Sequence, residues 1–348
     1  MIRVLIAEDS SLAAIIMRQI LARDPEIEVI GWAKNGQEAV AMRESLKPDV
    51  ITMDLNMPVM NGLEAIQMIS ATRPLPILVV SQLINSSDSG LTFEALCSGA
   101  VDVMEKPAAD RDKGFAKIEA ELIKRIKTVA NIKPIRMLPR AAAADGSRKL
   151  DAAGAARYLV VIGASTGGPV ALASILKSLP DGFPVPIAIV QHIAQGFVPG
   201  LAEWLTRSVK RPIQVAQNGE SPAVGIVYLA PDGQHLLIGP DGRFLLSRDE
   251  PLKGHRPSIT KLMDSAARSF GRRVTGVLLT GMGDDGVEGL RKIHEQGGKT
   301  IVQDEASSLV FGMPREAILA GVAEIISPLD EIPREIIRSI QHLQERGF

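Results

Sequence analysis

One cysteine in 348 residues, Cys97, has no partner in the chain for a disulfide and leaves no pair for a Cys-x-x-Cys zinc or redox site. Aromatic residues are almost as scarce, at 3%, which removes the stacking platforms that single-stranded nucleic-acid binders use. Neither charge dominates: 39 Lys and Arg stand against 40 Asp and Glu, so a broad basic surface for a phosphate backbone is excluded as well. Long apolar runs are also missing. A run such as Leu75 to Val80 falls far short of the ~20 residues that span a bilayer. At the N-terminus, Glu8 and Asp9 interrupt the apolar run before a signal-peptide core can form. A soluble, cytoplasmic protein that binds no nucleic acid and does not insert into membranes is expected.

The composition that remains, 46% hydrophobic and 23% charged, is that of a folded globular chain, and its length suggests two domains. In the first part, short apolar runs (Arg3 to Ala7, Glu28 to Ala33, Val50 to Met53, Ile77 to Val80, Val101 to Met104) alternate with amphipathic segments. Five such repeats predict an α/β domain with a parallel sheet covered on both faces. From about residue 131 to 156 the pattern dissolves into Pro, Ala, Gly and basic residues, which reads as a solvated connector. A second mainly parallel α/β region follows, with strands expected at Tyr158 to Gly163, Pro186 to Gln191, Val274 to Thr280, Thr300 to Gln303 and Glu324 to Ile326. The stretch Val224 to Ser247 carries two Pro-Asp-Gly turn signals and predicts an antiparallel hairpin or meander inserted in that sheet. The expected boundaries are 1–125, a linker over 126–156, and 157–348.

In a parallel sheet the carboxyl ends of the strands share one edge, where ligands bind. Glu8 and Asp9 end the first expected strand and Asp54 the third. Three carboxylates meeting there repel one another unless a cation intervenes, and hard oxygen ligands suit Mg²⁺. Ser81 and Lys106 follow the fourth and fifth strands to the same edge. A hydroxyl and an ammonium beside such a cluster are what an acyl phosphate on Asp54 would need.

In the second region, Gly163-Ala-Ser165-Thr-Gly167 lies between a strand and a helix, a turn that lifts a serine hydroxyl above the sheet edge. The same glycines could cradle a phosphate, but neither Gly-x-Gly-x-x-Gly nor a following Lys-Ser or Lys-Thr is present. Among the later histidines, His192 follows a buried strand to the edge that carries Ser165. His255 is the second candidate base. His235 beside a hairpin turn has a structural reading, and His294 and His342 read as surface residues. Asp284 and Asp285, after the strand ending near Thr280, could each orient the base. Spacing does not choose between them, and helix capping explains either one. No basic helix-turn-helix pattern points to a DNA-binding output.

The first region resembles the response-regulator receiver family over its whole length, through Glu8-Asp9-Ser10, Asp54-Leu-Asn56-Met-Pro58, Gly62 and Lys106-Pro107. The second resembles the chemotaxis protein-glutamate methylesterase family, CheB, through Gly163-Ala-Ser-Thr-Gly-Gly-Pro169, Gln191-His192, His255-Arg-Pro-Ser258, Leu279-Thr-Gly-Met-Gly-x-Asp-Gly286 and Phe311-Gly-Met-Pro-Arg315. A receiver in front of this catalytic region is that family's domain order.

The first resemblance implies a flavodoxin-like (βα)5 receiver with Asp54 as phosphoacceptor. Mg²⁺ would be held by Asp9, Asp54, the Asn56 carbonyl and, through water, Glu8, with Ser81 as switch hydroxyl and Lys106 as phosphate partner. Val103 stands at the position where the family's switch residue is aromatic. The second implies Ser165 as nucleophile, His192 as base and Asp285 as its orienter, with Thr166 and Met282 in the site and the Met282 N–H as an oxyanion donor. Asp284 stands where that family usually has Asn, an extra charge that would raise the pKa of the base. The catalytic domain would be doubly wound and need no cofactor.

Together the resemblances imply a phosphorylation-activated hydrolase that demethylates, and also deamidates, methyl-accepting chemotaxis receptors. A chemotaxis histidine kinase would be the phosphodonor, and a monomer is the expected state. The same chemistry on another signalling protein and a non-catalytic phospho-switch are the competing readings.

Overall fold

The computed structural model describes residues 1–81, 86–107, 115–132 and 157–345. The chain divides into two units, Met1–Leu138 and Pro139–Phe348. In the first, strands β1 (Ile2–Ala7), β2 (Ile27–Ala33), β3 (Val50–Met53), β4 (Ile77–Ser81) and β5 (Asp102–Glu105) alternate with helices α1 (Ser11–Leu21), α2 (Gly36–Leu46), α3 (Gly62–Thr72), α4 (Ser86–Cys97) and α5 (Phe115–Ala130). The strands form one parallel sheet in the order β2-β1-β3-β4-β5. Helices α1, α2 and α3 begin at Ser10, Asn35 and Asn61, whose side chains accept the N–H three residues on and so meet one of the unpaired donors of the first turn. Because β2 and β3 flank β1 on opposite sides, the chain reverses its direction across the sheet at β1, and a crevice opens beyond its carboxyl end. Helix α5 continues through Ala130. The expected connector lies outside the described residues from 133 to 156.

The second unit runs β6 (Leu159–Ala164), α6 (Gly168–Ser178), β7 (Ile187–Gln191), α7 (Val198–Val209), β8 (Ile213–Val215), β9 (Val227–Leu229), β10 (His235–Ile238), β11 (Phe244–Ser247), α8 (Ile259–Phe270), β12 (Val274–Leu278), α9 (Val287–Glu295), β13 (Lys299–Gln303), α10 (Met313–Leu319), β14 (Ile325–Ser327) and α11 (Ile332–Glu345). Its seven-stranded sheet is wholly parallel, in the order β14-β13-β12-β6-β7-β9-β8. Strand β6 is buried throughout, as a central parallel strand must be when helices cover both faces. It is also the switch point, since the chain winds outward through β7 and later returns to place β12 on the other side.

The antiparallel hairpin expected between Val224 and Ser247 is present, but it stands apart from the parallel sheet and takes in only part of that stretch. The first strand of the stretch, β9, joins the parallel sheet beside β7. Only β10 and β11 pair antiparallel, as a separate two-stranded sheet whose turn is closed by the Gly239 N–H on the Arg243 carbonyl at 2.7 Å. That hairpin packs on α8. Ile259, Leu262, Met263, Ala266 and Ala267 recur at the 3- and 4-residue spacing of one helical face and share a core with Leu236, Ile238 and Phe244. The hairpin thereby fixes the position of α8, whose N-terminus becomes part of the site. No helix among the described residues is long and apolar enough to cross a membrane.

Candidate active site

The last paired residues of β6 and β7 are Ala164 and Gln191. One step beyond them stand Ser165 and His192, and the His192 N–H donates to the Ala164 carbonyl at 2.9 Å. On the other side, the Ser165 N–H donates to the Thr280 carbonyl at 3.0 Å. Strand register thus brings Ser165, His192 and the segment after β12 to one place. Gly281 lies so close that a Cβ there would fall 2.5 Å from the Ser165 Cβ, a separation no side chain tolerates. Ser165 and His192 are half-buried, and Thr166 is buried. The Ser165 N–H, spent on Thr280, is not among the donors available to an oxyanion. Thr166 and Met282 are the remaining expected residues at this edge.

The choice between the two aspartates follows from the fold. Asp284 is exposed and pairs with Lys253, so its extra charge has its own cation. Asp285 is 2% exposed, and its Oδ2 lies 3.0 Å from His192 Nε2. The same carboxylate accepts from Ser258 Oγ at 2.9 Å and from the Ile259 and Thr260 N–H groups at 2.8 and 3.0 Å. Those two N–H groups open α8, where the helix dipole favours an anion. Burial opposes the charge on Asp285. Hydrogen bonds from His192 and Thr260, with the attraction of His192, outweigh it and hold the carboxyl well below the ordinary carboxylate range.

With Nε2 directed to the carboxylate, the other ring nitrogen decides what His192 can do. Nδ1 is buried and has no hydrogen-bond partner among the described residues. A buried polar atom without a partner costs about 1–3 kcal/mol, which makes it a place to look for a ligand or a reacting group. The ring of His255 lies parallel to that of His192 with centroids 4.0 Å apart. The second candidate base is therefore part of the site, covering one face of the first. His294 and His342 are exposed.

Several supporting residues escaped sequence reasoning. The Gln191 amide donates to the carbonyls of Ser165 and His192, at 2.8 and 2.9 Å, and joins the two strand ends. Thr280 donates its hydroxyl to the Thr166 carbonyl at 3.0 Å, while its N–H donates to Gln303 Oε1 at 2.8 Å. Ser258, the N-cap of α8, could have been found from its place before an amphipathic run; its bond to Asp285 could not.

In the first unit, Glu8, Asp9 and Asp54 each bring a carboxylate oxygen within 4.8 Å of the others. Glu8 and Asp54 are buried and Asp9 is exposed. Lys106 Nζ lies 2.8 Å from both Asp54 Oδ2 and Glu8 Oε2. The Glu8 Oε2 approach misses hydrogen-bond geometry, so that buried oxygen keeps unmet capacity. One ammonium therefore serves two carboxylates. Burial is the largest influence on Glu8 and on Asp54 and pushes both carboxyls above their ordinary values, with Lys106 opposing. For Lys106, burial acts downward, but bonds to Asp54 and Glu8 prevail and raise it. A hard divalent cation fits this donor set: three carboxylates meet there with one ammonium, and the cation would offset the excess of negative charge. Ser81 is buried at the end of β4, where its carbonyl accepts the Lys106 N–H at 3.0 Å. Asn56 is exposed two residues past Asp54. A Cβ at Gly62 would lie 2.0 Å from the Asp54 carbonyl oxygen, so α3 can begin against this loop only at glycine. Val103 is 1% exposed, inside β5.

Two family models match this chain: CheB methylesterase over residues 160–336 and response regulator receiver domain over residues 4–119. The chain is 46% identical, over 96% of both lengths, to a protein-glutamate methylesterase/protein-glutamine glutaminase of Anaeromyxobacter dehalogenans. It is 42% identical to the protein of the same name in Nitrosospira multiformis, over 100% of this chain and 98% of that one. Among solved structures, the CheB methylesterase catalytic domain of Thermotoga maritima covers 52% of this chain and is itself covered over 97%, with a TM-score of 0.51 and 38% identity. The chain belongs to the CheB methylesterase family and carries a response regulator receiver domain ahead of the methylesterase region.

Proposed function

We propose that this chain is a phosphorylation-activated protein-glutamate methylesterase and protein-glutamine glutaminase that acts on methyl-accepting chemotaxis receptors in the cytoplasm. The receiver is assigned to the first unit through the end of α5 at Ala130, the connector to the stretch from there to residue 156 and the catalytic domain to 157–348, in a monomer. The observation that carries the catalytic reading is the state of His192, which follows the strand next to the one that leads to Ser165: Nε2 on a buried, charged Asp285 and Nδ1 with no hydrogen-bond partner among the described residues.

Asp285 keeps a proton on Nε2, which leaves the Nδ1 lone pair as the base. Ser165 Oγ attacks the γ-carbonyl carbon of the substrate glutamyl ester as Nδ1 takes its proton. The resulting imidazolium is stabilised by Asp285. Backbone donors at Thr166 and Met282 hold the oxyanion, each worth about 10²–10³ in rate. The proton then passes from Nδ1 to the departing methoxide, releasing methanol and an acyl-Ser165. Water, deprotonated by the same nitrogen, attacks the acyl carbon; the ester bond to Ser165 breaks, Nδ1 returns the proton to Ser165 Oγ, and the glutamate side chain of the substrate protein is left as its carboxylate. With a glutamine substrate the leaving group is ammonia.

In the receiver, an Asp54 oxygen accepts the phosphoryl group of a histidine kinase, and the phosphorus–nitrogen bond of the donor breaks. Glu8, Asp9, Asp54 and the Asn56 carbonyl would hold Mg²⁺, whose charge offsets that of the incoming phosphoryl group. Lys106 pairs with the transferred phosphoryl group and Ser81 reaches it as the switch hydroxyl. The buried Val103 means that the switch does not run through an aromatic side chain here. Phosphorylation raises activity by shifting a two-state population.

Methanol release from methylated receptor membranes tests the reading. Wild type releases methanol, Ser165→Ala does not, and a small-molecule phosphodonor accelerates wild type but not Asp54→Asn. Absence of methanol from wild type with every receptor tried would overturn the esterase assignment. Equal acceleration of Asp54→Asn would overturn the control.

A further inference from the structure

His235 is fully buried at the start of β10 and plays no part in the chemistry above. Its Nδ1 accepts the Ser258 N–H at 3.2 Å, and its Nε2 lies 3.2 Å from the Glu250 carbonyl. A backbone N–H only donates and a carbonyl only accepts, so the tautomer follows: proton on Nε2, lone pair on Nδ1. Burial is the main influence on the ring and lowers its pKa, which keeps it neutral. An apolar side chain could fill this volume without the cost of burying two ring nitrogens. What the imidazole adds is a tie between both ends of the segment joining β11 to α8. That segment carries His255 against His192 and ends in Ser258.

From Ser258 the chain of hydrogen bonds continues. Ser258 Oγ donates to Asp285 Oδ1, the N–H groups of Ile259 and Thr260 donate to the same carboxylate, and Asp285 Oδ2 meets His192 Nε2. We infer that His235 is a positioning residue of the hydrolytic reaction: it holds Ser258 so that the N-terminus of α8 presents three donors to Asp285, and through Asp285 it sets the His192 ring. This inference rests on the catalytic reading of Ser165, His192 and Asp285.

Two variants separate positioning from packing. His235→Leu keeps an apolar body of similar volume but has no acceptor. His235→Asn keeps an amide oxygen near the place of Nδ1. With folding verified by circular dichroism and assays run well below each melting temperature, His235→Leu lowers kcat about tenfold, leaves KM within about twofold, and His235→Asn recovers most of the loss. In an Asp285→Ala background the His235→Leu change costs less than about twofold, because the path it acts through is already cut. Amide exchange at Ser258, Ile259 and Thr260 accelerates in His235→Leu and is restored in His235→Asn, a readout independent of turnover. Wild-type kcat and exchange in His235→Leu, equal losses in both variants, or an undiminished loss in the Asp285→Ala background would overturn the inference. Accelerated exchange in His235→Leu alongside a wild type that releases no methanol would instead overturn the catalytic reading and leave the tie in place.

Discussion

The two units each bury carboxylates at the carboxyl edge of a parallel sheet, and they treat them in opposite ways. Asp54 and Glu8 share one ammonium, and burial pushes both carboxyls up. Asp285 is equally buried but receives a hydroxyl, two helix N–H groups and an imidazole, and its carboxyl is held down. Under the proposed function, the carboxylate that has to stay charged and still through a reaction is the one surrounded by donors fixed in the chain, and those that would take up a cation or a phosphoryl group are the ones left short of them. The number of fixed donors, rather than depth of burial, separates the two roles.

The largest break in this comparison comes from removing the charge of Asp285. Asp285→Asn offers an amide where His192 needs an acceptor and presents N–H groups towards the donors of α8. Methanol release should fall about 10²–10⁴-fold, with far smaller change in receptor binding. Truncation to alanine should also cost about 1–3 kcal/mol in denaturant unfolding of the second unit, because the Ile259 and Thr260 N–H groups lose their acceptor. An Asn variant with near-wild-type kcat would show that the charge is not what the α8 terminus is built to hold.

Acid titration sharpens the same contrast. As pH falls, Glu8 and Asp54 should protonate above the ordinary values of 4.5 and 3.8, while Asp285 remains charged below 3.8. The stability consequences have opposite signs. A raised carboxyl binds its proton more readily folded than unfolded, so the first unit loses stability as pH rises through that window. A lowered carboxyl contributes stability that is present above its unfolded value and lost as pH falls through its folded one. Carboxyl carbon NMR on the full chain reads the order directly; protonation of Asp285 before Asp54 would remove the basis of the comparison. Filling the receiver site should act as neutral pH does for Asp285. At about 100 times its Kd, Mg²⁺ should stabilise the first unit by about 2.7 kcal/mol, and Asp54→Asn should lose most of that gain. Trp32 is placed to report it, since its indole N–H donates to the Glu8 carbonyl at 2.7 Å. A Trp204→Phe background removes the other tryptophan signal.

Much of this was legible in the chain itself. The five strands of the first unit are short apolar runs bounded by capping residues, so Glu8, Asp9 and Asp54 could be placed on one edge without coordinates. Ser165 and His192 follow adjacent parallel strands, which is also a local reading. What escaped depends on long-range pairing. Asp284 and Asp285 are neighbours, and only the approach of α8 separates an exposed ion pair from a buried charge. Strand β8 is three residues long and follows Pro212, too little pattern to read. Strand β9 sits just ahead of a Pro-Asp-Gly turn and so read as part of the expected hairpin or meander, but its buried Val227, Tyr228 and Leu229 suit the interior sheet. Nothing near His235 in sequence announces Ser258, 23 residues on.

The smallest effect tests how far the fixed environment extends past the hydrogen bonds. His255 touches His192 by its face, with parallel planes at 4.0 Å. The stack limits how the imidazole tilts and keeps water from one side of it. Stacked rings contribute about 0.5–1.5 kcal/mol, so His255→Ala should lower kcat about threefold to tenfold, and His255→Phe, which keeps a flat ring there, should stay within about twofold of wild type. If His255 instead moved protons, phenylalanine would be as damaging as alanine, and the donors around Asp285 would not be the whole of what the second unit fixes. Equal rates for all three proteins would place the ordering of His192 entirely on Asp285.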